Sequence, residues 1–126
     1  MRSITGFLIL MVVIIAIAVG SLFFILSVSN NIFNNLEKLE KNVSTENWDE
    51  AEITFKKIQK EWEKGKSFFP LLVDHANLHD LNITLTRISS LLRVRFKREI
   101  LPEISVAKEL SKEIYQQEKF SLKNVF

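Results

Sequence analysis

Apolar and polar positions divide this chain into two stretches of different kind. Residues 4–28 read ITGFLILMVVIIAIAVGSLFFILSV, twenty-five positions without a charge. As a helix rising about 1.5 Å per residue this run covers roughly 37 Å, enough to cross a hydrocarbon core of about 30 Å with some tilt. Its many β-branched residues do not count against a helix, because lipid forces the backbone to bond internally. Beyond the run, apolar residues recur at helical spacing. Ile32, Leu36, Leu39 and Val43 step by 4, 3 and 4, which predicts that the first helix continues as a stalk to about Val43, with Asn30 and Asn31 as its softest point.

Asn47 is a good N-cap, and Glu50 three positions later completes a capping-box-like start. Trp48, Ala51, Phe55, Ile58 and Trp62 then step by 3, 4, 3 and 4 as the apolar face of a second helix. Gly65 and Ser67 suit its end, and Pro70 suits the first turn of the next. The following stripe is Leu71, then Leu78, Leu81, Leu85, Ile88, Leu92 and Phe96. A less regular run, Ile100, Ile104, Ala107, Leu110 and Ile114, has Pro102 near its start, and a break or a kink at Leu101 is expected. Strand signals are absent.

The pattern predicts an all-α protein: an N-terminal transmembrane helix followed by a small antiparallel helical hairpin or three-helix bundle. The expected division is an anchor over residues 1–28, a helical stalk over 29–43 and a helical domain over 44–126, the last stable by itself. Stripes with a period near 3.5 suit left-handed, coiled-coil-like packing.

Composition sharpens this division. Within 126 residues only Arg2 is charged before Glu37, and every other charge lies from there on. The net charge of +2 is too small and dispersed to argue for nucleic acid. The absence of cysteine excludes a disulfide frame, a thiolate metal site and a lipobox-type lipid anchor. Three Gly and two Pro argue against a β-rich or disordered tail.

Ala16-Ile17-Ala18 resembles a signal-peptide cleavage triplet, but cutting there exposes VGSLFFILSV as a new apolar end, so an uncleaved signal anchor is expected. Arg2 and the α-amino group flank the run on one side, while Lys38 and Lys41 stand ten or more residues beyond it on the other. The positive-inside rule then places the N-terminus in the cytoplasm and the helical domain outside it. Ala16 and Gly20 form a small-xxx-small pair, open to self-association of two anchors or to plain lipid contact.

Candidate chemistry is sparse. His75 and His79 lie four apart in the run DHANLHD and share a helix face, the spacing of zinc peptidase helices. Ala76 follows His75 where the general-base Glu of such helices stands, and no third ligand is evident. A surface or capping role therefore outranks a metal site. Asp74 falls on the core-facing line of the second stripe, where a carboxylate needs a partner: a helix end, an indole N–H of Trp48 or Trp62, or a lysine. Arg87, Arg93, Arg95, Lys97 and Arg98 make the densest basic run, read as a solvated helix face or as a contact for anionic lipid or an acidic partner. Asn42-Val43-Ser44 and Asn82-Ile83-Thr84 match the glycosylation sequon, a short pattern frequent by chance.

Trp48 with Ala51, Trp62, the pair Asp74-His75 and the closing FSLKNVF at 120–126, in this order behind a short anchor, resemble an uncharacterised family of small membrane proteins from endospore-forming, low-GC Gram-positive bacteria. The family carries a domain of unknown function. The resemblance implies a bacterial membrane location and a helical domain, and no activity.

The expectation is a non-enzymatic, single-pass cell-membrane protein without a cofactor, whose helical domain binds another membrane protein or serves a structural role at the membrane surface. Its partners are then membrane lipid, another protein, and a second copy through the anchor, but not nucleic acid. Trp48, Trp62, Asp74 and His75 are the structural or partner candidates. The alternatives are a metal-dependent membrane-bound hydrolase using His75 and His79, or anionic-lipid binding through the basic run at 87–98.

Overall fold

The computed structural model describes residues 2–66 and 75–125. These residues form helices and turns with no strand among them: α1 (Arg2–Ser44), α2 (Trp48–Lys66), α3 (His75–Val94) and α4 (Lys97–Val125). Pro70, Leu71 and Asp74 lie outside the described residues.

α1 is a single 43-residue helix with two environments along its length. Apolar side chains at positions 4–17 stand exposed, Val12 at 65% and Ile17 at 64%. By length and composition, this helix can cross a membrane. From Ile25 onward one face disappears into a core: Ile25, Val28, Ile32, Leu36, Leu39 and Val43 are all buried. They join Ala51, Phe55, Ile58 and Trp62 from α2, Leu78 to Leu92 from α3, and Ile100, Ile104, Ala107 and Ile114 from α4 in one hydrophobic cluster. Each fully buried Leu or Ile stabilises the fold by roughly 1.5–3 kcal/mol.

The segment expected to be a stalk over 29–43 is therefore an integral helix of the bundle. Its 4, 3, 4 stripe faces neighbours on two sides, since α1 packs closely against both α2 and α4. α3 packs along α4, and α2 meets α3 only sparsely. Among the described residues the bundle consequently has four helices, α1 included, where the reading of residues 44–126 alone predicts a hairpin or three.

Polar cross-links fix the directions. Asn42 Nδ2 donates to Thr54 Oγ1 (3.0 Å) beside the α1–α2 turn. Lys108 pairs with Glu40 at 3.5 Å between α4 and α1. Arg87 with Glu103 (3.8 Å) and Asn77 with Gln117 (3.5 Å) tie α3 to α4. The earlier residue of α3 meets the later one of α4, so these two run antiparallel, and Glu40 beside Lys108 with Ser29 and Phe33 beside residues 112–123 sets α4 antiparallel to α1. The α1–α2 and α3–α4 turns share the end distal to the exposed apolar run.

Both turns use the same device. At the end of α1, Glu46 N–H donates to Val43 C=O (3.0 Å) and Asn47 N–H to Asn42 C=O (2.8 Å). At the end of α3, Arg95 N–H donates to Leu92 C=O (3.2 Å) and Phe96 N–H to Leu91 C=O (3.3 Å). This is the Schellman pattern, which needs a left-handed residue at its corner. Glu46 (φ 58°) and Arg95 (φ 54°) occupy the corners where glycine is usual. Asn47 C=O accepts from Ala51 N–H (3.0 Å), which places Asn47 at the expected start of α2.

Two expectations change here. The chain turns at Arg95–Phe96, not at Leu101, and Pro102 sits inside the continuous helix α4. Phe96, placed by periodicity in the core stripe, lies in that turn and is 48% exposed, because α3 ends at Val94.

Candidate functional site

The two histidines of the expected pair stand on one helix. His79 and Asp80 are exposed on α3, and His75 opens that helix. Among the described residues no group of three or more His, Cys, Asp or Glu gathers in a metal-holding arrangement. Trp62 is buried, and its indole Nε1 donates to Asn82 Oδ1 at 3.2 Å; Asp74 lies outside the described residues. Trp48 is half-buried against the core beside the α1–α2 turn.

The basic run is divided by the α3–α4 turn. Arg87 reaches across to Glu103 on α4. Arg93, Arg95 and Arg98 are exposed around the turn, with Val94 beside them at 69% exposure. They form the distal tip of the bundle and not a helix face. Residues 25–44 of α1 separate that tip from the exposed apolar run, a rise of about 28 Å.

The opposite end is built differently. Between α1 and α4 an open groove of about 500 Å³ is lined by Ser29, Asn30 and Phe33 from α1 and by Lys112, Tyr115, Gln116, Lys119, Phe120 and Lys123 from α4. Lys119 Nζ lies 5.8 Å from the Tyr115 ring centroid, and Lys108 Nζ lies 5.8 Å from that of Phe33. These are cation–π distances. No carboxylate lines the groove among the described residues. Its lysines and aromatics alternate along α4 at helical spacing, which is legible in the sequence. Their meeting with Phe33 depends on the antiparallel return of α4 along α1 and is not.

The core turns polar towards the same end. The inward line of α4 runs Ile104, Ala107, Ser111, Ile114 and Glu118, all buried. Among the described residues the hydroxyls of Ser29 and Ser111 have no hydrogen-bond partner. Burial raises the Glu118 carboxyl above the ordinary carboxylate range, because desolvation disfavours its charged form.

Comparison with curated proteins and with solved structures found no match. A family model does match, over residues 19–125, and it begins before the segment 29–43. That span agrees with a unit in which α1 supplies core residues from Ile25 on. The chain belongs to the family described as a domain of unknown function, DUF4363.

Proposed function

We propose that this chain is a single-pass protein of the bacterial cell membrane whose four-helix bundle stands on the membrane surface as a non-enzymatic interaction or structural module. The observation that carries the reading is the continuity of α1. One helix holds an apolar run over 4–17 whose side chains are exposed and then, without a loop, the innermost stripe of the bundle. Water solvates such a run poorly and lipid solvates it well. A bundle joined to its anchor through a shared helix cannot swing freely, so its tip is held at a set height above the bilayer.

Arg2 on the N-terminal flank, with no cation on the other side before Lys38, supports a cytoplasmic N-terminus and an extracytoplasmic bundle. The distal tip, with Val94 and Phe96 exposed among Arg93, Arg95 and Arg98, suits an acidic, partly apolar protein surface. Gly20 has open space around its Cβ position, so the anchor face through Ala16 and Gly20 is also free to meet a second copy.

Alkaline carbonate extraction of membranes containing the full chain, followed by intact mass, tests the anchor. Retention in the pellet with residues 1–28 present is expected. Release into the supernatant, or a mature species starting near Val19, counts against it. Protease treatment of intact cells tests the orientation, with digestion of the bundle expected.

A further inference from the structure

We propose that the groove between α1 and α4 is a binding site for the headgroup of an anionic phospholipid from the bilayer that α1 crosses. The inference rests on the anchor reading above and adds a ligand to it. Its geometric basis is the level of the groove along the bundle. Glu40 and Lys108 are paired, and counting fifteen residues back along α1 and fifteen on along α4 brings Lys123 level with Ile25. Ile25 is where the side chains of α1 pass from exposed to buried, Phe23 being 57% exposed and Ile25 0%. By the same count Lys119 is level with Ser29.

A headgroup layer adds roughly 5–8 Å to each side of the hydrocarbon core, or about four to five residues of helix. If hydrocarbon ends at Phe23, that layer covers the levels of Lys123 and Phe120 and its outer edge meets Lys119, while Tyr115 and Lys112 stand roughly 7 and 12 Å farther out. Ammonium groups on flexible stems, an exposed aromatic ring at 66% exposure and a phenol are the side chains that settle at this boundary. The groove has no acidic lining residue among those described, so its field favours a phosphodiester of net negative charge over a zwitterion. Lys119 and Lys123 take the phosphate and Phe120 offers apolar surface beside it, while Lys112 adds to the positive field farther along the groove. The basic tip at Arg93, Arg95 and Arg98 faces the other way and takes no part.

The test reconstitutes the full chain in phosphatidylcholine vesicles with spin-labelled phosphatidylglycerol or spin-labelled phosphatidylcholine as probe. The fraction of each probe held motionally restricted is read by electron spin resonance. The wild-type chain is expected to restrict phosphatidylglycerol with at least about fivefold preference, the worth of a single lysine at an anionic surface. Lys112→Gln/Lys119→Gln/Lys123→Gln should bring the preference near unity, with carbonate resistance and helical circular dichroism unchanged. Arg93→Gln/Arg95→Gln/Arg98→Gln should leave it intact. A chain that inserts yet shows no preference, one undiminished in the lysine variant, or one lost in the arginine variant, overturns the site while the anchor reading stands. A chain extracted by carbonate from every vesicle overturns the anchor reading, and the site with it.

Discussion

Trp62 Nε1 donates to Asn82 Oδ1 at 3.2 Å across α2 and α3, the pair of sequential helices that touch least. The indole is buried, so its N–H needs an acceptor, while Asn82 stays largely open to solvent. Trp62→Ala should cost about 3–5 kcal/mol, and Asn82→Ala about 1 kcal/mol, in urea denaturation followed by circular dichroism. A fully tolerated Trp62→Ala would show that the α2 stripe does not hold the bundle together.

Glu46 and Arg95 carry positive φ at the two Schellman corners, where a Cβ is strained. Glu46→Gly and Arg95→Gly should each stabilise the bundle by about 0.5–1 kcal/mol, after allowance for the greater freedom of glycine in the unfolded chain. The same change at the neighbouring Thr45 should not stabilise. A loss at either corner would contradict the left-handed assignment.

The bundle requires residues 25–43. A fragment spanning 25–126 should unfold cooperatively, whereas one spanning 44–126 lacks an innermost helix and should show neither a sharp transition nor dispersed amide resonances. Within the longer fragment, Leu36→Ala, at a fully buried position, should cost about 2–5 kcal/mol. A stably folded 44–126 fragment would restore the stalk reading.

Glu118 gives the fold a pH dependence. Its folded value is raised above the ordinary 4.5, so the stability this group supplies is fully present below that value and lost as pH rises through the folded one. Glu118→Gln removes the titration and keeps the shape. The variant should be more stable than wild type at pH 7, with the gap shrinking towards pH 4. A gap that widens on acidification would show the carboxylate to be favourably paired.

The histidines separate a structural from a catalytic reading. His79 is exposed, so His79→Ala should be nearly silent, and zinc should not raise the melting temperature of the wild-type chain. Equal, zinc-dependent losses on replacing His75 and His79 would establish the metal site instead. Asp74→Ala should cost about 1–3 kcal/mol if that carboxylate accepts from a buried donor.

The sequence by itself determined that this chain is helical and where most inward faces lie. A stripe at 3, 4 spacing, as in Ala51 to Trp62 or Leu78 to Leu92, is a local property that needs no partner to be recognised. It also marked residues 4–28 as the apolar run, because lipid compatibility is a matter of composition and length. What covers a stripe is a different matter. Ile32, Leu36, Leu39 and Val43 read equally well as a stalk seam or as a bundle core, and only the return of α2 and α4 along α1 decides between them. The α3–α4 turn escaped for a related reason: its corner is Arg95, and a positive φ at a non-glycine residue is imposed by the helices it joins. Phe96 kept the helical rhythm into that turn and so passed for core. The groove of Lys112, Lys119 and Lys123 with Phe33 brings together residues some eighty to ninety positions apart, a proximity set by antiparallel packing and by no local signal.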